Sequence, residues 1–363
     1  MSERRSIVSI ARVDGDVASA VREALERAEW TRVVPARADV SLKVNLGWDL
    51  FIPGSITSPL MADALIRAIR DHVGTITMVE SDQVLEDVEK AFHESGMAEV
   101  CRRNSVRWLN MTRAPTVPHE DARNVVLKRI DVPQILKDTV LITVPVMKTH
   151  AKTRLSGALK NQWGCIGKMR HEYHLVLDDA LADLNSAVRP ALAVMDATIA
   201  LEGSGPKSGR PLIVDRILCS SDPVALDTVQ AVLMGIEPAG VGHLATCAAR
   251  GIGTNDLSQI EIRGPEAAKA SIRFEPAKHN AVSLVETLLR KSVLKRLFFN
   301  TPLFRLCLVG AKLYYRYWTL RSGDAPWRQA LAHPVYGPQW RGVTRARAEN
   351  AEPARDGGLR VPR

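Results

Sequence analysis

Residues 148–174 read KTHAKTRLSGALKNQWGCIGKMRHEYH and hold Lys148, His150, Lys152, Arg154, Lys160, Asn161, Cys165, Lys168, Arg170, His171 and His174. Bases, hydrogen-bond donors and fixed cations at this density suit a site that binds a carboxylate or phosphate and moves protons on it. His150, Lys160 and His174 are the candidate acid–base groups. A lysine among other cations is held toward its neutral form, where it serves as a base or as a Schiff-base nucleophile. Lys148 and Asn161 would hold the substrate. Ser156-Gly157-Ala158 permits close backbone approach, and a helix starting at Leu159 would offer free N–H groups to an anion. His171 and His174 stand at HxxH spacing, so on a helix they share a face. With His150 or Glu172 they would make ligands for a divalent metal. Cys165 reads either as a reactive thiol or as a small buried cysteine.

Further candidates lie outside this segment. Lys43 and Asn45, two apart at a strand end, face one side and suit an anionic or carbonyl group. Residues 203–210, GSGPKSGR, form a Gly-rich stretch with Lys207 and Arg210 that matches neither the Walker pattern nor GxGxxG. It is expected as a flexible lid bringing two cations to the substrate. Asp196 and Glu202 follow a strand and are expected to orient a cation or metal. Asp222-Pro223 marks a helix start, and Asp227 inside that helix is placed to face the site.

These residues must be positioned by alternating elements. Apolar runs at 6–11, 40–44, 75–79, 139–144, 191–195, 212–219 and 260–263 read as strands. Residues 14–28, 59–73, 87–94, 177–188, 223–234 and 241–249 carry helical spacing. Strand, helix, strand in succession predicts an α/β fold, a parallel or mixed sheet flanked by helices. Ligands then bind beyond the carboxyl ends of the strands.

Residues 1–290 are expected to form this body, as one unit or two lobes, 291–340 a basic amphipathic helical extension, and 341–363 a disordered tail. The chain has 49 Lys/Arg and 40 Asp/Glu. Of these, 14 and 4 fall in residues 291–363, so that segment carries +10 and the first 290 residues −1. A basic tail on a neutral body points to an anionic surface near the C-terminus, and no specific nucleic-acid module is visible. Residues 301–320 combine an apolar face, Tyr/Trp and the basic stripe Arg305, Lys312 and Arg316. This pattern fits either an anionic bilayer interface or docking on the body. Five scattered cysteines without CxxC spacing fit a reducing compartment and argue against an iron–sulfur cluster. With no signal-peptide or membrane-spanning apolar run, the expected location is the cytoplasm, with peripheral contact to the membrane through the extension.

The KTH, SGALKN and GC of residues 148–165 resemble the family called domain of unknown function 362. So do LNSAVRPALAVMDATIALEGSGP, CSSDPVALDTVQAVLMG and LYYRYW. This resemblance spans roughly residues 40 to 340. Many relatives carry a ferredoxin-like iron–sulfur module whose cysteines this chain lacks. The segment is also similar to the nickel-pincer lactate racemase family, where a His and a Lys ten residues later flank a small-residue run. That resemblance implies a cofactor-tethering role for Lys160, and metal-ligand and acid–base roles for His150 and for His171 or His174. Ala158 and Leu159 depart from that family's Gly and Arg.

The function expected is an enzyme using Lys/His proton transfer on a small anionic substrate, of isomerase, epimerase or lyase type. The alternatives are a metal- or cofactor-binding protein without turnover and a membrane-surface binding protein.

Overall fold

The computed structural model describes residues 5–47, 53–83, 87–166, 168–206, 208–278 and 324–340, with single positions between 285 and 317. In chain order the first elements are β1 (Ser6–Arg12), α1 (Val17–Arg27), β2 (Val40–Lys43), α2 (Pro59–Ile69), β3 (Ile76–Glu80) and α3 (Val88–Glu94). Next come α4 (Met97–Asn104), β4 (Arg107–Asn110), β5 (Thr116–Glu120), β6 (Arg129–Pro133), α5 (Ile135–Asp138) and β7 (Val140–Thr143). The site segment contributes β8 (Val146–His150), β9 (Arg154–Ser156) and α6 (Ala158–Asn161). Then follow α7 (Leu177–Ala187), β10 (Leu192–Ser204), β11 (Ser208–Ser220), α8 (Pro223–Leu233), α9 (Gly242–Ala249), β12 (Ile260–Arg263), α10 (Glu266–Lys269) and α11 (Asp324–Ala332).

The helices begin where the sequence supplies caps. Asp16, Ser58, Asp87 and Asp222 each accept backbone N–H bonds at the starts of α1, α2, α3 and α8. Pro59 and Pro223 take the first helical positions, where no N–H is needed.

Ten strands form one mixed sheet in the order β12-β1-β11-β10-β7-β2-β3-β4, with β8 paired to β10 and to β9. The run β10-β7-β2-β3-β4 is parallel, and β11 is antiparallel to both β1 and β10. Strand alternation builds two faces. In β2, Val40 and Leu42 enter a core shared with α1, α2, α4 and the aromatics Tyr336 and Trp340. The opposite face buries Leu159, Met195, Leu226 and Leu244 of α6, β10, α8 and α9 in one cluster. Leu141, Trp163 and Leu181 belong to a second cluster on that side. The α/β body with helices on both faces is as the sequence predicts.

One expectation is corrected, and one open alternative is narrowed. The strand expected to stop before Asp196 continues to Ser204 and pairs antiparallel with β11 through Glu202↔Arg210, Gly203↔Gly209 and Ser204↔Ser208. The Gly-rich stretch is therefore the end of a two-stranded hairpin, held by ladder hydrogen bonds, and not a free lid. The basic extension, in turn, does not leave the body altogether. Tyr336 and Trp340 are buried, the Tyr336 hydroxyl donates to Asp215 Oδ1 at 2.7 Å, and the Leu60 amide donates to Gln339 Oε1 at 2.8 Å. At the described positions nearer 301–320, Ala311 is buried and Tyr314 packs against the first core, while Val309, Leu313 and Tyr317 are exposed. The expected disordered tail, 341–363, lies outside the described residues.

Candidate functional site

Three parallel strands, β2, β3 and β7, end side by side, and the chemistry-bearing residues collect at those carboxyl ends. Lys43, the last residue of β2, is 1% exposed and donates to Glu80 Oε2 at the end of β3 and to the Val44 carbonyl, both at 2.8 Å. Glu80 also accepts the amides of Leu46 and Ser81 at 3.2 and 2.9 Å. Gly164 must be glycine here, because a Cβ would lie 2.4 Å from Glu80 Oε1 and 2.8 Å from Lys43 Nζ. The Lys43 charge is thus paired and buried beneath the site.

Above it runs an amide chain. Asn161 Nδ2 donates to Thr143 Oγ1 of β7 at 2.8 Å, and its Oδ1 accepts from Asn45 Nδ2 at 3.0 Å. Asn45 Oδ1 then accepts from Lys148 Nζ at 3.2 Å, and Lys148 also donates to the Ser55 carbonyl at 2.8 Å. Four of the expected substrate-binding residues, Lys43, Asn45, Lys148 and Asn161, are thus brought together, the last three in one hydrogen-bonded line.

Lys160 projects from α6, which is clamped from behind. Asp227 on α8 accepts the amides of Ala158 and Leu159 at 2.6 and 2.9 Å, Gln230 Nε2 donates to the Ser156 carbonyl at 3.0 Å, and Asn185 Nδ2 donates to the Leu159 carbonyl at 3.1 Å. The approach is so close at Gly157 that a Cβ would stand 2.2 Å from both Asp227 Oδ1 and Gln230 Oε1. The anion expected at this helix start is therefore one of the protein's own carboxylates. Asp227 does face the site segment, as a cap.

The Lys160 amine is half-buried and lies 5.5 Å from the centroid of the Trp163 ring. Among the described residues no hydrogen bond or ion pair ends on it. Burial, followed by the charges of Arg170, Lys148, Lys152 and Lys43, lowers its pKa to about 7. Desolvation and like charge both disfavour the ammonium form, so the free amine is present at neutral pH.

His150, the last residue of β8, is buried, and its Nδ1 accepts the Lys152 amide at 3.0 Å. Burial, then Lys160 and the other cations, holds its pKa well below the ordinary value. A neutral imidazole that accepts at Nδ1 carries its proton on Nε2, so His150 presents an N–H donor. His174 lies beside it, its Nδ1 2.7 Å from Lys152 Nζ. An ammonium only donates, so this ring too carries its proton on Nε2.

Arg170, expected only as part of the cationic density, is turned inward onto Ser81 Oγ and the carbonyls of Ile166 and Asp82 at 2.9–3.1 Å. Cys165 is fully buried, and burial pushes its pKa up to about 12, so it is a packing residue.

The remaining expectations do not converge on this cluster. Asp196 is buried and accepts the Ser58 amide, the Thr198 amide and the Thr198 hydroxyl at 2.9, 3.1 and 2.6 Å. Glu202 is buried, pairs with Arg210 across the hairpin and accepts the Glu275 amide at 2.8 Å. Both carboxylates expected at a metal accept hydrogen bonds from the protein itself, and Arg210 is the ion-pair partner of Glu202 across the hairpin. Among the described residues no group of three or more His, Cys, Asp or Glu side chains is arranged to hold a metal ion. Lys207 and the side chain of His171 lie outside the described residues. Sequence reasoning misses the clamp from Gln230, whose signal is a polar residue within an apolar helix and which is fully buried.

Comparison with known proteins finds a family model whose match includes the site segment. Residues 40–232 match the family model described as Domain of unknown function (DUF362). A thylakoid-associated protein of Synechocystis sp. is 32% identical over 114 residues, which is 29% of this chain and 36% of that protein. The chain thus matches about a third of that relative's length. A crystal structure of a Thermotoga maritima protein aligns with 12% identity and a TM-score of 0.37, over 57% of this chain and 55% of that one. The family match covers more than half of the chain, and the chain belongs to the DUF362 family.

Proposed function

We propose that this DUF362 protein is an enzyme that binds a small anionic substrate at the 148–174 cluster and makes and breaks bonds to hydrogen on it, as an isomerase, epimerase or lyase. One observation carries the reading: the Lys160 amine is half-buried among cations with no counter-ion among the described residues. A structural lysine in that position lowers stability and gains nothing. A substrate anion would balance the surrounding cations Lys148 and Lys152, and the neutral amine would meet the substrate carbon. The His150 Nε2–H can donate to an oxygen on which negative charge develops, the role for which a low-pKa imidazole is suited. Lys148, held by Asn45 and Ser55, supplies a fixed positive charge for the carboxylate or phosphate. The test works whatever the product is. A panel of small carboxylates and phosphate esters is incubated with the protein in D2O, and C–H exchange is followed by NMR. Exchange on at least one compound, lost in Lys160→Ala and His150→Ala, is expected. Exchange that persists in Lys160→Ala overturns the assignment.

A second reading concerns location. The exposed Val309, Leu313 and Tyr317 are four apart at helical positions, with Ala311 buried, within the segment carrying +10. No helix among the described residues is long and apolar enough to cross a membrane. An apolar stripe on a basic helix suits a peripheral position on an anionic, cytoplasm-facing bilayer surface. The thylakoid association in the relative's name accords with it.

A further inference from the structure

The cluster's geometry restricts the class of substrate further than charge alone. A phosphate is ordinarily held by a bare helix N-terminus or by an outward guanidinium fork. Neither is on offer at the described positions. The α6 N-terminus is filled by Asp227, and the Arg170 guanidinium is directed into the protein onto Ser81, Ile166 and Asp82. The ammonium groups of Lys148 and Lys152 lie near the amine, and so does the imidazole of His150, with His174 beside it. Lysine point charges bind carboxylate and phosphate alike, so what narrows the substrate class is the nucleophile and donor beside them.

The same set is what carbonyl addition requires. The nucleophile is an amine on which no hydrogen bond ends among the described residues, and it lies over the Trp163 ring. The donor is the Nε2–H of His150, available to polarise a carbonyl oxygen. The backbone that carries the amine is fixed at the amides of Ala158 and Leu159 and at the Leu159 carbonyl.

We propose that Lys160 forms a Schiff base with 2-oxo carboxylates, compounds in which a ketone or aldehyde carbon adjoins the carboxylate. The proposal rests on the reading above that the cluster binds a small anion. In the first step the Nζ lone pair forms a bond to the carbonyl carbon, and the C=O π pair moves to oxygen, which takes a proton through His150. Nζ then releases a proton, giving a neutral carbinolamine. A further proton on the hydroxyl lets the C–O bond break and water leave, as the nitrogen lone pair closes the C=N bond. The sum is amine plus carbonyl plus one proton to iminium plus water. The substrate carboxylate balances the iminium charge within the cationic cluster. The iminium withdraws electrons from the neighbouring carbon, whose C–H is the bond that the proposed exchange reaction labilises.

The experiment is reductive trapping. The intact protein at pH 7 is treated with pyruvate and sodium cyanoborohydride, which reduces the iminium to a stable secondary amine. The product is read by intact mass and peptide mapping. A single, saturable addition at Lys160, at least tenfold faster than at any other lysine and absent from Lys160→Arg, is expected. The location is read on the wild-type chain, so the proposal stays testable if the variant fails to fold. In parallel, acetylation of Lys160 by acetic anhydride is measured with and without acetate as a competing anion. If acetate protects Lys160 and no pyruvate adduct forms there, the Schiff base is overturned and the anion site stands. If neither protection nor adduct is found, both readings fall. Adducts spread over exposed lysines in proportion to their number also overturn the proposal.

Discussion

The Asp227 carboxylate caps a helix that is not its own: its Oδ1 lies 2.6 Å from the amide nitrogen of Ala158, and its Oδ2 takes the next amide. The four-residue α6 is too short to be stable by itself. Its conformation, and with it the direction of Lys160, is imposed from α8. Asp227→Ala leaves two buried N–H groups unpaired beside a cavity and is expected to cost about 2–4 kcal/mol. Urea unfolding measures it, and a loss under 1 kcal/mol would show that α6 does not depend on the cap.

The same residue gives a pH signature. Burial raises its pKa from 3.8 to about 7, overcoming the two backbone bonds that lower it. An acid with a higher pKa in the folded state binds more protons folded than unfolded between those limits. Stability from this group is therefore lost as pH rises from about 4 to about 7 and is level above that. Asp227→Asn cannot titrate. Relative to wild type, its unfolding free energy should improve across that window by roughly 4 kcal/mol at most. A wild-type-to-variant difference that stays constant from pH 4 to pH 8 refutes this.

Lys160 has the opposite sign. Its pKa falls from 10.5 to about 7, so between those values the unfolded chain binds more protons, and this group's contribution to stability rises with pH. Below pH 7 its charge opposes folding. Lys160→Met should therefore raise the thermal midpoint at pH 6.5 while abolishing substrate exchange, and the gain should shrink at pH 10. A midpoint that falls at pH 6.5 would mean the lysine is a structural group after all.

Much of this arrangement is legible in the sequence, and the limits have physical causes. Apolar runs mark β2, β3 and β7 because strands buried on both faces lack polar alternation. Those strands end at the residues that matter. Lys148, His150, Lys160 and Asn161 converge as their density in one segment suggests. Lys43 reads as a ligand group in the sequence because its partner Glu80 is 37 positions away, and no local pattern reveals a cross-strand ion pair. Asp196 and Glu202 look like metal ligands at a strand end only if the strand ends there. β10 runs on into a hairpin, and both carboxylates find backbone and arginine partners in its surroundings. The helix start before Leu159 signals an anion correctly, but the anion comes from residue 227.

The buried pair beneath the site yields a further prediction. Lys43 and Glu80 are 1% and 2% exposed, and Glu80 also accepts two backbone amides. Glu80→Gln leaves the Lys43 ammonium without its counter-charge and should cost about 3–5 kcal/mol. Pairing Lys43→Met with Glu80→Leu should recover only part of that, since the amides of Leu46 and Ser81 remain unpaired. Full recovery in the double variant would show that the amides find water.

The C-terminal segment has two separable tasks, and the distinction dictates how membrane contact is tested. Tyr336 and Trp340 complete the first core, so truncation after residue 320 damages the body. Trp340→Ala should cost about 3–5 kcal/mol, and Tyr336→Phe, which loses the bond to Asp215, about 1–2 kcal/mol. The exposed stripe is different. Replacing Val309, Leu313 and Tyr317 by Ser removes apolar surface already in water and should change stability by about 0.5 kcal/mol or less at each position. The triple variant is expected to keep the wild-type melting temperature within a few degrees and to lose co-sedimentation with phosphatidylserine-containing vesicles. Wild-type binding should weaken at about 0.5 M salt, because the basic segment contributes through screened charge. Equal sedimentation of the triple variant and wild type would remove the helix from any membrane role, and a collapse of the melting temperature would place these side chains against the body.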